Sequence, residues 1–402
     1  VQGECDPRFG AVRDEFERNF RERGEAGASV CVAVEGRVVV DLWGGIANRR
    51  TDQPWERDTL VVVWSCTKGA VALCAHILRS RGLLDLDAPV ARYWPEFARE
   101  GKDAIAVRRL LDHQAGLAAI RRPLRPGGLY DWGYMTEMLA AEAPFWEPGT
   151  RQGYHAVTFG YLVGEVVRRV SGQDLGDFFR EEVAGPLGID FFLGLPEADE
   201  GRVARIIRPD ALPPGEPHRR FNKEAERNPE GLQALMIGNT GRRPGDHDSR
   251  EAHAAVLPSQ GGIANARGLA GLYTPLALGG GAGGVRLVDA DTLAEAQAVS
   301  SASADDAMLR IGLRFGLGFM KSSDNRKSAP GATDSIILSE SAFGHAGMGG
   351  SLGFADPDAR LAFGYAMNKQ GRGVALNERG QSLVDATYRS LGYRTNEGGR
   401  WM

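Results

Sequence analysis

Cysteine is sparse: Cys5, Cys31, Cys66 and Cys74 are the only four in 402 residues, and all lie in the first fifth of the chain. They form no C-x-x-C and no zinc spacing, a pattern of reduced, partly buried thiols rather than a disulfide framework. Excess positive charge is also missing. The formal net charge is -4, which excludes a nucleic-acid binder, because phosphate binding needs a basic face. No window holds the roughly 18 unbroken apolar residues of a membrane helix. The opening VQGECDPRFG has neither a basic n-region nor an apolar h-region, so no secretory signal is legible and a cytoplasmic protein is expected. What is present is ordinary: 43% hydrophobic and 25% charged residues, which rules out a disordered or fibrous chain. The length suits two or three domains, or one large hydrolase core with an insertion.

Apolar Phe9, Val12, Phe16 and Phe20 predict an amphipathic helix over Phe9–Arg23. Ala28–Val34 and Arg37–Gly45, joined by Glu35-Gly36, predict a hairpin. Thr59–Trp64 reads as extended and leads into a helix from Ser65 to Ser80, stopped by Gly82. Further helices are expected over Thr158–Val170, Leu175–Val183, Arg267–Leu278 and Leu376–Ser390, and strands over Phe315–Met320, around His345–Pro357 and over Arg360–Asn368. Residues 196–258, with Pro213-Pro214-Gly215-Glu216-Pro217 at their centre, show no periodicity and predict a long loop over the site. Strands at both ends and helices between them predict an α+β protein: a sheet domain from 1–75 and 255–402, and a mainly helical domain from 76–254.

Lysine is the rare cation, six against forty-two arginines, and Lys68 stands in the apolar run VVVWSCTKGAVALC. Burying an unpaired ammonium is expensive, so its presence needs a reason. Ser65 precedes it by three residues, which puts both side chains on one helix face with Ser65 at the helix N-terminus. A desolvated Lys has a lowered pKa and can take or pass a proton. The bland alternative is a Ser N-cap beside a snorkelling Lys. Tyr154 follows the turn Glu147-Pro148-Gly149-Thr150 and could reach a neighbouring serine as a proton relay. A third candidate is His345, bracketed by glycines in Phe343-Gly344-His345-Ala346-Gly347-Met348-Gly349-Gly350, where backbone can approach a substrate closely. Gly349-Gly350-Ser351-Leu352-Gly353 matches G-x-S-x-G formally. It reads as strand–turn–strand, and no His follows His345, so it is not a nucleophile elbow. Asp246-His247-Asp248 and His253 read as a solvated loop; no metal site and no cofactor are expected.

Ser65-x-x-Lys68, then Tyr154, then His345-Ala346-Gly347 on a late strand, supported by Leu110–Leu117, Trp146–Thr150 and Gly344–Pro357, resembles the serine β-lactamase-like hydrolases. Within them the chain is most similar to the class C-like branch and the family VIII carboxylesterases. The resemblance implies a β-lactamase/transpeptidase-like fold, with an antiparallel sheet flanked by N- and C-terminal helices plus a helical domain. It also implies catalysis by Ser65, Lys68 and Tyr154. In that scheme Ser65 attacks the carbonyl, Tyr154 with a pKa lowered by Lys68 takes its proton, and the backbone N–H groups of Ser65 and Met348 hold the oxyanion. His345, Gly347, Trp64 and His155 are the expected substrate contacts, with Trp132 and Trp146 as further pocket walls. Class C enzymes carry Tyr-x-Asn and Lys-Thr-Gly; here these are Tyr154-His155-Ala156 and His345-Ala346-Gly347. Both departures point to a small neutral ester rather than a lactam. The competing readings are a β-lactamase, a D-amino-acid peptidase or amidase, an acyltransferase, and a non-catalytic binding module. Neither the physiological substrate nor the oligomeric state is legible.

Overall fold

The structure, a computed structural model, describes residues 1–211, 216, 219–241 and 246–402. The chain opens with strand β1 (Gln2–Cys5) and helix α1 (Gly10–Glu22), which buries Val12 and Phe16. Strands β2 (Gly27–Val34) and β3 (Arg37–Asn48) form the expected hairpin. Glu35 and Gly36 both take positive φ, 52° and 79°, as a type I′ turn requires, and its twist matches that of the flanking strands. After β4 (Gln53–Pro54) and β5 (Val61–Val62) comes α2 (Cys66–Ser80), a helix buried almost all round.

The middle of the chain is mainly helical: α3 (Val107–Leu111), α4 (Trp132–Ala141), α5 (Thr158–Ser171), α6 (Leu175–Phe179) and α7 (Gly185–Leu187), then the short strand β6 (Phe191–Phe192). Helices α8 (Arg220–Arg227), α9 (Leu232–Gly238) and α10 (Arg250–Ala254) follow. Strand β7 (Ile263–Ala264) pairs with β5 and β6. Next come α11 (Ala266–Ala277), a small hairpin of β8 (Gly281–Ala282) and β9 (Val285–Arg286), and α12 (Ala290–Gln297). The last third supplies β10 (Ser301–Ser303), β11 (Leu313–Phe315), β12 (Met320–Lys321), β13 (Phe343–Ala346), β14 (Leu352–Asp356), β15 (Leu361–Met367) and α13 (Glu378–Ser390).

Strands from the two ends of the chain form one antiparallel sheet in the order β1-β3-β2-β15-β14-β13-β12-β11-β10, with β4 beside β3. Alternation along the strands separates two cores. Val30, Val32, Phe354 and Phe363 join Phe9, Phe16, Leu383 and Tyr388 on the side of α1 and α13. The opposite face carries small residues so that α11 can lie close. A Cβ on Gly364 would stand 2.1 Å from the Ala266 carbonyl oxygen, and one on Gly353 2.7 Å from the Tyr273 ring. Tyr273 in turn presses its hydroxyl against Gly69 of α2, 2.2 Å from where a Cβ would sit. The sheet thus sets the position of α2.

Two expectations need correction. Phe315–Met320 is not one strand: β11 and β12 reverse on each other with Phe315 opposite Met320, and the intervening Gly318 has φ +86°. Residues 196–258 are not one long loop. Their described part contains α8, α9 and α10, helices of eight, seven and five residues that are too short to show a clear periodicity. Of the Pro-rich centre, Pro213, Pro214, Gly215 and Pro217 lie outside the described residues. Among the described residues no helix is long and apolar enough to cross a membrane, and all four cysteines are free.

The glycine packing makes a paired prediction. Gly364→Ala forces backbone apart and should cost about 2 kcal/mol or more, whereas Gly10→Ala, with nothing within 4 Å, should be neutral or gain up to about 1 kcal/mol. Urea denaturation of both variants measures the contrast.

Candidate active site

The turn before α2 is strained. Trp64 has φ +51°, an unfavourable conformation for a bulky residue that costs about 1–3 kcal/mol and persists only where the surroundings enforce it. Here Thr67 enforces it: its hydroxyl donates to the Trp64 carbonyl and accepts the Gly262 N–H at 2.8 Å. Ser65 then stands at the N-terminus of α2, and its side chain makes no capping bond. That removes the N-cap explanation for Ser65.

Lys68 does not snorkel; it is fully buried. Its Nζ lies 3.0 Å from Ser65 Oγ and donates to the carbonyls of Ala156 at 2.8 Å and Ser259 at 2.9 Å. The Ser259 carbonyl reaches this point because Gly160 of α5 leaves room: a Cβ there would meet the Pro258 oxygen at 2.2 Å. Burial drives the Lys68 pKa well below the ordinary lysine value. A neutral amine has two N–H groups and one lone pair. With two carbonyls on the N–H groups, the lone pair of a neutral Lys68 would face Ser65 Oγ.

Tyr154 is buried beside this pair, with Lys68 Nζ 4.8 Å from its ring centroid. The expectation that Lys68 lowers its pKa is overturned. Burial raises the phenol above its ordinary value, and an interaction with the Ser65 side chain offsets this only in part. A neutral amine offers no charge to stabilise a phenolate, so Lys68, not Tyr154, is the group whose pKa falls.

Two residues that sequence reasoning did not single out hold Tyr154. Buried Asp306 accepts the Tyr154 N–H with both oxygens at 3.1 Å, and also the Gln152 amide and the N–H groups of Met308 and Leu309. His113, itself at φ +62°, accepts the His155 N–H on Nδ1 at 3.1 Å and the Gly153 N–H on its carbonyl at 3.0 Å. Its ring lies 4.9 Å from that of Tyr154. His113 sits in the supporting stretch Leu110–Leu117, and membership of that stretch was the available signal. Asp306 gives none, since its partners in the Tyr154 loop are remote in sequence.

The third stretch comes to the same place. The Cys66 thiol donates to the His345 carbonyl at 3.2 Å, and a Cβ on Gly347 would stand 2.3 Å from the Val63 oxygen, so only glycine lets this turn meet the Ser65 turn. Among the described residues, neither the Ser65 nor the Met348 N–H donates to a protein acceptor. His345 Nδ1 bonds the Ala346 carbonyl at 2.8 Å while Nε2 is buried without a partner. Burial pushes its pKa down to about 3, so the ring is neutral.

Three expected substrate contacts are corrected. Both nitrogens of His155 are taken, Nε2 by the Leu117 N–H at 3.0 Å and Nδ1 by the Gly153 carbonyl at 2.6 Å; it braces the loop from below. Trp64 is 4% exposed, enclosed by Leu60, Val62, Leu195 and Ile263 and met edge-on by His247. Gly347 spends its N–H on Ser351 and its carbonyl on Gly350, so it supplies space, not a bond. Trp146 packs against Gly153 beside Tyr154, whereas the Trp132 indole is tied to Glu165 at 2.8 Å. Ser351 lies between β13 and β14 in a strand–turn–strand and is fully buried. The residues considered for a metal have other partners: Tyr130 donates to Asp246, Asp248 accepts the Ile206 N–H, and His253 pairs with Glu200. Among the described residues no group of His, Cys, Asp or Glu could hold a metal ion.

The Beta-lactamase family matches residues 14–387. The chain belongs to this family. Its fold is the β-lactamase/transpeptidase-like α+β fold that the motifs implied. The chain is 35% identical to the esterase/beta-lactamase LipL of Mycobacterium tuberculosis, over 92% of this chain and 83% of that protein. It is 40% identical to a family VIII carboxylesterase of known crystal structure, with a TM-score of 0.84 over 97% of this chain and 99% of that one. A penicillin-binding protein homologue from Caulobacter crescentus shares 39% identity and a TM-score of 0.85, over 97% and 99% of the two chains. These relatives support a serine hydrolase. Within the Beta-lactamase family this chain differs from the class C pattern at both places noted above. Ala156 contributes only its carbonyl, to Lys68, and the position of the motif lysine carries a neutral imidazole.

Lys68 makes a prediction about stability. Burial lowers its pKa in the fold, while in the unfolded chain it titrates at about 10.4. The folded state therefore binds fewer protons, and raising the pH from 7 toward 10 favours folding. Denaturant titrations should show wild type gaining on Lys68→Met by up to about 1.4 kcal/mol per pH unit. A gap that stays flat over that range would mean a charged Lys68.

Proposed function

We propose that the protein is a carboxylesterase that cleaves short-chain, neutral carboxylic esters through an acyl-Ser65 intermediate. The observation that carries this reading is Lys68 Nζ, 3.0 Å from Ser65 Oγ with its N–H groups held by two carbonyls. Neutral Lys68 takes the Ser65 proton as Oγ attacks the carbonyl carbon. The oxyanion forms between the N–H groups of Ser65 and Met348. Tyr154, protonated because burial raises its pKa, gives its proton to the departing alkoxide and is reloaded from the Lys68 ammonium. The C–O bond breaks, the alcohol leaves, and water repeats the sequence to release the acid. Protons pass among the three groups, so the base and acid steps belong to the set.

Substrate class follows from charge. A lactam carboxylate needs a cation, and an unpaired buried carboxylate costs several kcal/mol. His345 is neutral, and the lysine and arginine after the oxyanion turn are engaged elsewhere, Lys369 with Asp210 at 2.8 Å and Arg372 with Glu216 at 2.9 Å. Ala156 has no amide for an acylamino side chain. An aryl or alkyl ester of a short acid requires neither contact. We assign the site to the crevice between a sheet unit, 1–75 and 255–402, and a mainly helical unit, 76–254, with Gln233 of α9 bonded to the Ala307 and Met308 carbonyls next to Asp306. The free thiols favour a cytoplasmic enzyme.

Three measurements test this. A fluorophosphonate should label one peptide, that of Ser65; labelling of Ser351 would overturn the assignment. On p-nitrophenyl acetate to hexanoate, kcat/KM should exceed that on nitrocefin by at least about 10²-fold, roughly 2.7 kcal/mol. Equal turnover of the two would move the protein to lactam hydrolysis. Tyr154→Phe and Lys68→Ala should each lower ester turnover by about 10² or more, non-additively.

A further inference from the structure

The turn that carries Met348 has almost no side chains to hold it. Gly347, Gly349 and Gly350 flank a methionine that is 40% exposed, and Gly349 and Gly350 sit at φ +87° and +122°. Such a segment is conformationally free unless its peptide groups are tied down. Three partners tie Gly349. Its N–H donates to the Gly373 carbonyl at 3.0 Å, and its carbonyl accepts the Gly371 N–H at 2.8 Å and Asn377 Nδ2 at 2.7 Å.

Asn377 is the side chain in this set, and both ends of its amide are used. Oδ1 accepts the Gly380 N–H at 3.1 Å and caps α13, while Nδ2 donates to the turn. A Cβ on Gly350 would stand 2.3 Å from Asn377 Nδ2, and one on Gly371 2.4 Å, so the amide fills a slot that only glycines leave open. The bonds also run in series. Asn377 donates to the carbonyl of the 349–350 peptide; the N–H of that same peptide, on Gly350, donates to the Gly347 carbonyl at 3.0 Å; and the Gly347 carbonyl belongs to the peptide whose N–H is that of Met348. Peptide dipoles linked this way polarise one another.

We propose that Asn377 is a positioning residue of the oxyanion site: its amide, through two peptide groups in series, aims and polarises the Met348 N–H. This rests on the reading of Met348 as an oxyanion donor. Helix capping and turn holding are separable, because Asp caps a helix as well as Asn does and suits the helix N-terminus, yet it has no N–H to give Gly349. In Asn377→Asp the melting temperature should therefore not fall. On p-nitrophenyl butyrate, kcat should drop about tenfold with KM within about twofold, since misplacing one catalytic group slightly has effects of this size. The Ki of phenylboronic acid, which adds Ser65 Oγ to form a tetrahedral anion, should rise by the same factor. Asn377→Ser, which also keeps a capping oxygen, should behave alike and carries the same reading if the Asp variant unfolds. Unchanged kcat and boronate affinity, or an activity loss that only follows a lost fold, would overturn the inference. Met348→Pro, which deletes the N–H itself, separates the two readings. If it loses boronate affinity while the Asn377 variants keep theirs, Asn377 is only a cap. If it keeps wild-type kcat and boronate affinity, the oxyanion assignment to Met348 fails, and this inference with it.

Discussion

The buried amine of Lys68 is the point on which the site depends. Its nitrogen joins three chain segments that are far apart in sequence: α2 through Ser65, the Tyr154 loop through the Ala156 carbonyl, and the segment before β7 through the Ser259 carbonyl. An ammonium there would be costly, and an alkyl group would leave two buried carbonyls without partners. A neutral amine satisfies both conditions. The same bonds that make the residue tolerable to the fold turn its lone pair toward the serine, so structural and chemical roles are met by one geometry.

Around that amine the charge is kept low. His113, His155 and His345 all have depressed pKa values, each mainly through burial, and each presents a neutral ring. Asp306 is the nearby anion, and it is enclosed by N–H donors rather than by a cation. A field of neutral imidazoles and peptide dipoles does not compete with a developing oxyanion, nor does it attract a carboxylate substrate. The departures at Ala156 and His345 therefore act together in the proposed reading: each removes a polar handle.

Much of this was legible because it is local. The Ser65-x-x-Lys68 spacing, the Glu35-Gly36 turn and the helix over Thr158–Ser171 follow from neighbours within one or two helical turns. What was not legible comes from partners brought together by the fold. Asp306, His113, Ser259 and Asn377 bond backbone groups many residues away, and nothing around them in the chain announces it. His155 and Trp64 were misassigned for the same reason: adjacency to Tyr154 and Ser65 in sequence does not say which way a ring turns. In Phe315–Met320 the apolar pattern outweighed two glycines that reverse the chain. In 196–258 the helices are too short, five to eight residues, to show a clear period.

The sheet also dictates when the enzyme can exist during its own synthesis. β2 lies between β3 and β15, with Val34 opposite Leu361, and the two N–H groups proposed for the oxyanion come from the first sixth and the last sixth of the chain. Until the final strands leave the ribosome, β2 has one open edge, and Lys68 stands next to a serine with no Met348 N–H near it. Contacts of such sequence separation form late and slowly, and an unpaired edge is exposed to other chains meanwhile. The nascent chain is thus chemically silent until its C-terminal third closes the sheet, and its yield will be governed by how long that edge waits.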